Sequence, residues 1–325
     1  MTVNLPWIEK YRPQQLNDLI SHEDIIHTLQ NFISKGNLPH LLFYGPPGTG
    51  KTSSILAIAK QMYDKHVRSL VLELNASDDR GIEVVRTEIL NFASNMTIQQ
   101  GKSKLIILDE ADAMTKDAQN ALKRIIEKYS EFTRFCLICN YQNKIIPAIQ
   151  SRCTRFRFSP LKSEQIQPRL IHIINEEKVN YTPDGLEALI RLSNGDMRQA
   201  INVLQCTSMS FDTVNAANVY ACVGKPTPQD MKLILNILLN EELANSVKRM
   251  TEIRTKKCIA LSDIVTELMK LLTKVNFPDI AMTELIIKLA DIERNLSLGC
   301  SDKIQCYSLV SAFYLVRDKI GAAAQ

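Results

Sequence analysis

Gly45-Pro46-Pro47-Gly48-Thr49-Gly50-Lys51-Thr52 fills the pattern Gly-x4-Gly-Lys-Thr, and it lies between an apolar run, Leu41 to Tyr44, and a helical pattern. Its glycines let the backbone wrap so that several N–H groups converge on one point, with a helix N-terminus behind them. Such a cradle suits phosphate oxygens. Lys51 adds a cation for the β- and γ-phosphates and Thr52 a hydroxyl for Mg2+, while Ser53 continues into the helix. The expected ligand is ATP with its magnesium ion.

A magnesium-bound triphosphate needs a carboxylate at the end of a neighbouring strand, and Leu105-Ile106-Ile107-Leu108-Asp109-Glu110 offers two. Asp109 is placed to organise the metal, and Glu110 to orient and deprotonate an attacking water. Alone, an Asp-Glu pair after an apolar run is a solvated strand end; beside a phosphate cradle it becomes catalytic. The next apolar run, Phe135 to Cys139, ends in Asn140, a neutral side chain that both donates and accepts hydrogen bonds. From a strand end it can sense the γ-phosphate or hold the water, although an isolated Asn there is by itself only a turn residue.

These residues need a scaffold that brings several strand ends together. Between Leu41 and Phe158, short apolar runs alternate with helical patterns, which predicts an α/β domain with a parallel sheet covered by helices on both faces. The expected strands are Leu41 to Tyr44, Leu70 to Leu74, Leu105 to Leu108, Arg134 to Cys139 and Thr154 to Phe158. The last alternates, with Phe156 and Phe158 on one face and Arg155 and Arg157 on the other. Past Pro160 the pattern is helical. Thr182-Pro183 reads as an N-cap with proline at the first helical position, Asn194-Gly195 as the stop, and Thr227-Pro228-Gln229-Asp230 as a second start. The turn-rich Gly224-Lys225-Pro226 marks a boundary. The division expected is residues 1–160 as the ATP-binding domain, 161–226 as a helical lid, and 227–325 as an all-α C-terminal domain.

The bulk properties limit the alternatives. With 325 residues and 45% hydrophobic composition the chain can bury a sizeable core. No apolar run approaches the ~20 residues that cross a bilayer, and no charged-then-apolar leader stands at the start, so an intracellular protein without a membrane partner is expected. A net charge of +4 does not by itself announce nucleic-acid binding. Cys136 and Cys139 form a CxxC, but an offset of three along a strand puts them on opposite faces, which argues against a metal site.

Taken in order, GPPGTGKT, Ile107-Leu108-Asp109-Glu110-Ala111-Asp112, Asn140, Ser151-Arg152-Cys153 and Gly195-Asp196-Met197-Arg198 resemble the clamp-loader branch of the AAA+ ATPases. Trp7-Ile8-Glu9-Lys10-Tyr11-Arg12-Pro13 and Asn75-Ala76-Ser77-Asp78-Asp79-Arg80-Gly81 are similar to the small subunits of replication factor C, the eukaryotic sliding-clamp loader. The resemblance implies an AAA+ P-loop module, a helical lid and a helical collar that joins subunits of a nuclear heteropentamer. It also implies that Ile8 and Arg12 lie against the base and ribose-phosphate side of the nucleotide. By the same resemblance, Arg198 reaches the γ-phosphate from the lid, and Arg152 acts in trans on the neighbouring subunit's ATP. Arginine suits both tasks because its fork stays charged.

The implied partners are the other subunits, a PCNA-type clamp and primer-template DNA. Arg80 and Arg86 are the first candidates for DNA phosphate contacts, with Lys123 and Arg124 behind them. Ile89 to Ile98, with Phe92 and Met96, is apolar enough to dock on a clamp and equally apolar enough to be core. Two rival readings belong to other classes: a DNA-translocating helicase motor, which would carry a further DNA-binding module, and an ATP-binding scaffold without turnover, which would not need Glu110.

Overall fold

The structure, a computed structural model, describes residues 5–19, 22–77, 83, 85–95, 103–275 and 277–322. It divides into two compact units, residues 1–214 and 215–325.

The first unit opens with α1 (Trp7–Lys10) and α2 (Glu23–Ser34), followed by β1 (Leu41–Tyr44) and α3 (Lys51–Tyr63). A short α4 (Val67–Leu70) leads into β2 (Val71–Asn75), so Leu70 ends a helical turn and the strand starts one residue later than the apolar run suggests. A π-helical turn, Val85–Ile89, continues as α5 (Leu90–Ser94). Then come β3 (Lys104–Asp109), α6 (Lys116–Tyr129), β4 (Thr133–Cys139), α7 (Pro147–Gln150) and β5 (Thr154–Arg157).

The five strands form one parallel sheet in the order β2-β3-β4-β1-β5. Because β4 pairs with both β1 and β3, the carboxyl ends of these three strands lie side by side, where an open parallel sheet places its ligands. Tyr44 is level with Cys139, and Leu108 with Leu137, so Gly45, Asp109 and Asn140 leave the sheet along one edge.

The central strands β1, β3 and β4 are apolar along their middles because both faces are covered. Leu42, Ile106, Leu108, Leu137 and Cys139 face α6 through Leu122, Ile125 and Ile126. Leu41, Phe43, Leu105, Ile107, Cys136 and Ile138 face α3 through Ile55, Ile58 and Tyr63. Cys136 and Cys139 thus lie in opposite cores, and burial pushes both thiols up, Cys139 to about 12. Ile89 and Ala93 are buried in the α6-side core with Phe92 packed against it beneath Lys104, so this part of the apolar segment is core and not an open docking face. Met96 and Ile98 lie outside the described residues.

Three helices complete the unit: α8 (Ser163–Glu176), α9 (Pro183–Ser193) and α10 (Met197–Ser210). Thr182 stands at the N-cap of α9 and Asn194, with φ of 49°, at its end. Asp196 caps α10, its carboxylate accepting from the N–H groups of Arg198 and Gln199.

The second unit contains α11 (Ala216–Val223), which the sequence pattern assigns to the lid, then α12 (Pro228–Asn240), α13 (Leu243–Lys257), α14 (Leu261–Leu272), α15 (Asp279–Ser297) and α16 (Asp302–Ala322). Thr227 and Asp230 form a reciprocal capping box at the start of α12. The core of this unit joins Ile234 and Ile237 of α12, Ile264 and Leu268 of α14, Leu285 and Leu289 of α15, and Phe313 of α16. Ile280, Ile287, Ile304 and Leu315 remain exposed in this unit.

Candidate nucleotide-binding site

The loop between β1 and α3 can be built only with glycine at its critical points. A Cβ on Gly45 would sit 2.0 Å from the carbonyl oxygen of Phe158, and one on Gly48 would sit 1.6 Å from Asp196 Oδ1. Both positions have positive φ, as does Gly50 at +95°. Gly50 is the N-cap of α3 and has no side chain to bond the first helical N–H groups, which leaves them for an anion.

Lys51 is the first residue of α3 and is buried. Its Nζ donates to Gly45 O at 2.8 Å, Pro46 O at 2.7 Å and Asn140 Oδ1 at 3.1 Å, so the ammonium is fixed between the loop and the end of β4. Burial lowers its pKa, and nearby Arg198 lowers it further, while Asp109, Cys139 and Asp112 act in the opposite direction. Next along the helix, Thr52 Oγ1 donates to Asp109 Oδ2 at 2.7 Å. The other carboxylate oxygen, Oδ1, accepts from Glu110 N at 2.8 Å. Glu110 itself has φ of 52° and ψ of 37°, a left-handed conformation uncommon for a residue with a Cβ. It is solvent-exposed at the sheet edge.

The lid closes the other side. Met197 N donates to Gly48 O at 3.2 Å, joining the start of α10 to the phosphate loop. Met197, Arg198 and Ile201 line the same pocket as Lys51, Thr52, Ser53, Asp109, Glu110 and Asn140. Pro47, Gly48, Thr49 and Gly50 form its floor, and Ile8 and Arg12 enter it from the N-terminal segment. Gly45 and Pro46 lie beneath, as the carbonyls that hold Lys51.

Other sequence candidates fall elsewhere. Arg152 does not line this pocket; its Nη1 donates to Ala148 O at 2.6 Å and its Nη2 is paired with the Glu127 carboxylate. Lys123 lies 4.0 Å from the same Glu127 oxygen, and Arg124 is exposed on α6. Arg80 lies outside the described residues. Arg86 belongs to the π-helical turn, with its side chain outside what is described.

Three contributors are not among the site residues expected from the sequence. Arg169 of α8 lines the pocket. Gln119 is almost fully buried, and its amide donates to Met114 O at 3.3 Å and Lys144 O at 3.1 Å while accepting from Ile146 N at 2.8 Å, tying together the loops that follow β3 and β4. Asp112 accepts from Tyr141 N at 3.3 Å, beside Asn140. A polar residue at a buried helical position, as at Gln119, was the one signal available in the sequence.

Comparison with known proteins accords with this geometry. The family model for the ATPase family associated with various cellular activities (AAA) matches residues 41–161. An RFC1-like AAA+ ATPase lid domain matches 163–221, and the replication factor C C-terminal domain matches 226–312. Among curated relatives, replication factor C subunit 5 of Homo sapiens is 58% identical over 99% of this chain and 95% of its own length. Replication factor C subunit 5 of Arabidopsis thaliana is 51% identical over 98% and 89%. Replication factor C subunit 3 of Schizosaccharomyces pombe is 50% identical over 95% and 90%.

Among solved structures, a single-substitution variant of Thermotoga maritima RuvB aligns with a TM-score of 0.55 at 15% identity, covering 94% of this chain and 90% of that one. The Thermotoga maritima RuvB Holliday junction branch migration motor gives 0.53 at 17%, covering 78% and 88%. At that identity the likeness is one of fold. The phosphate loop and the two following strand ends fall inside the ATPase match, and identity to the curated relatives runs nearly end to end, so the chain belongs to the replication factor C subunit family of AAA+ ATPases.

Proposed function

We propose that this chain is an ATP-hydrolysing subunit of a clamp loader. Within a nuclear, ring-like heteropentamer of replication factor C subunits, it binds ATP to help grip and open a PCNA-type sliding clamp. Hydrolysis follows when primer-template DNA is engaged, and leaves the clamp closed on the DNA for replication and repair. The observation that carries this reading is the meeting of Lys51, Thr52, Asp109, Glu110 and Asn140 at one sheet edge under a lid that supplies Arg198.

The donor set fits a magnesium ion. Thr52 Oγ1 and Asp109 Oδ2 are adjacent hard oxygens, the type Mg2+ takes while retaining water and phosphate oxygens at its other positions. Bound there, the ion supplies neutralisation of phosphate charge. The chain's own residues do the rest. Lys51 and the free N–H groups at the start of α3 hold the phosphates, and Asn140 keeps Lys51 aimed. Glu110, exposed at the sheet edge and lining the same pocket, takes the proton of the attacking water. Arg198 approaches from the lid.

Arg152 is assigned to a neighbouring subunit's site, a reading supported by its position outside its own pocket. Arg80, Arg86, Lys123 and Arg124 remain the candidates for DNA phosphates. Exposed Ile280, Ile287, Ile304 and Leu315 support the collar as a surface for the other subunits.

A translocating DNA motor is the reading that the fold likeness to RuvB keeps in play, although that likeness carries fold alone. The test is a complex reconstituted with Lys51→Ala in this subunit. Loss of ATP binding at this site and of clamp loading onto primed circular DNA is expected. Normal ATP binding at the mutated site would remove the phosphate-loop assignment, and ATP-driven movement along duplex DNA without clamp loading would favour the rival.

A further inference from the structure

We propose that the segment facing the base of the nucleotide is carried by the lid, and that Arg169, supported by Glu177, is the positioning residue that holds it there. The inference rests on the reading that Ile8 and Arg12 lie against the base and its ribose-phosphate side. It adds the means by which they are held.

Helix α1 has four residues, too few to be stable alone, and no residue of it is buried. Its orientation must therefore come from contacts outside itself. Among the described residues, the polar contacts of Trp7 to Tyr11 beyond their own turn all reach the lid. Trp7 N donates to Gln205 Oε1 of α10 at 3.1 Å. Lys10 Nζ and the Tyr11 hydroxyl both donate to Glu177 Oε1, at 2.6 and 2.7 Å, at the end of α8. Arg169 Nη2 donates to the carbonyl of Tyr11 at 2.7 Å, and the Tyr11 ring stands edge-on to His172 at 6.2 Å.

The chain returns to the sheet domain only after Pro13, where Gln14 accepts from Lys60 of α3. Residues 7–12 thus belong mechanically to the lid, and the phosphate loop with Asp109 and Glu110 belongs to the sheet. Arg169 stands where the two subsites meet, since it lines the pocket and holds the backbone just before Arg12. A ligand with both base and phosphates bridges lid and sheet. A ligand with phosphates alone does not depend on the segment.

The experiment measures binding of MgATP and of magnesium tripolyphosphate to the full chain, together with acrylamide quenching of Trp7, the chain's one tryptophan. Arg169→Ala should weaken MgATP about tenfold, the loss expected for one charge-assisted hydrogen bond, and leave tripolyphosphate within about twofold. Quenching of Trp7 should rise without nucleotide, as the segment leaves the lid. Glu177→Gln should move both readouts in the same direction by less, and it covers the case in which Arg169→Ala does not fold.

Equal weakening of both ligands would make Arg169 merely structural and overturn the proposal. So would unchanged MgATP affinity. A fall in MgATP affinity with unchanged quenching would mean that Arg169 touches the ligand directly, which also overturns the positioning role. The underlying reading is tested separately by Ile8→Ala. If that variant keeps the wild-type preference for MgATP over tripolyphosphate, the base assignment fails and the proposal falls with it; if it loses the preference while Arg169→Ala does not, the anchor alone is wrong.

Discussion

Gly48→Ala tests whether the lid rests on the phosphate loop. The added Cβ would lie 1.6 Å from Asp196 Oδ1 and 2.2 Å from its Cγ, and ordinary contact begins near 3.4 Å, so the carboxylate must retreat by about 2 Å. That retreat breaks its hydrogen bonds to the N–H groups of Arg198 and Gln199, at 2.8 and 3.1 Å. Losing such an N-cap costs about 1 kcal/mol. Alanine at φ of +66° adds roughly 1–2 kcal/mol of backbone strain. The expected destabilisation is therefore about 2–3 kcal/mol, which a domain of ordinary stability survives.

The assay is urea unfolding of the full chain followed by Trp7 fluorescence, with the pair taken through a double-mutant cycle. All three close atoms of Asp196 lie beyond its Cβ, so Asp196→Ala removes the clash together with the cap. In that background Gly48→Ala should cost only the backbone strain, giving a coupling of about 1 kcal/mol. Additive costs would refute the docking of Asp196 on Gly48.

Glu110→Gln in the assembled complex should leave nucleotide binding nearly intact and slow single-turnover hydrolysis at this site; an unchanged rate would remove Glu110 as the base. Glu110→Gly should also abolish turnover yet raise unfolding stability by roughly 0.5–1 kcal/mol, because it relieves the left-handed backbone, and a loss of stability would show that the conformation is not strained. His40 is held neutral by burial, with Arg134 adding to the effect, and its pKa falls from 6.5 to about 4; its Nδ1 accepts from Phe135 N. Since the folded value lies below the unfolded one, the stability it contributes is full above pH 6.5 and is lost as pH falls toward 4. After discounting for partial exposure of the ring this amounts to about 1–2 kcal/mol, and His40→Asn should flatten that pH dependence in urea unfolding. Arg152→Ala should spare ATP binding at this subunit and depress hydrolysis at its neighbour, measured in mixed complexes with one competent phosphate loop at a time; a loss confined to its own site would place Arg152 in cis.

The sequence made legible what is encoded locally. The central strands β1, β3 and β4 could be read because a strand buried on both faces is largely apolar, and β5 because it alternates; the error at Leu70 arose because an apolar residue ending a helical turn looks the same as one starting a strand. The Thr227 and Asp230 capping box was readable because its partners are three residues apart. Contacts between distant segments were not. Arg169 meets Tyr11 across 158 residues, and Asp196 meets Gly48 across a comparable gap; neither pairing has a periodicity or a spacing to detect. Gln119 is an intermediate case: its spacing from Leu122 and Ile126 sets it on the apolar face of α6, but the three backbone groups that satisfy it come from loops the sequence does not bring together.

The in-chain partner of Arg152 bears on how such a residue could serve a neighbour. Its guanidinium is bonded to Glu127 and Ala148, yet both side chains of the ion pair remain partly exposed, at 35% and 44%. A pair in that setting is worth roughly 0–1 kcal/mol. A finger that accelerates phosphoryl transfer by roughly 10³ to 10⁵ delivers about 4–7 kcal/mol of transition-state stabilisation. Transition-state stabilisation outweighs the ion pair, so Glu127 cannot withhold Arg152 from a triphosphate presented by an adjoining subunit. The pair also restricts the long side chain's rotamers on the flank of α6, which in the proposed trans role would reduce the entropy that remains to be lost on docking. Glu127 is shared with Lys123, whose ammonium lies 4.0 Å from the same oxygen. If Arg152 leaves, the carboxylate therefore keeps a cation beside it, and release of the arginine does not strand an unpaired charge.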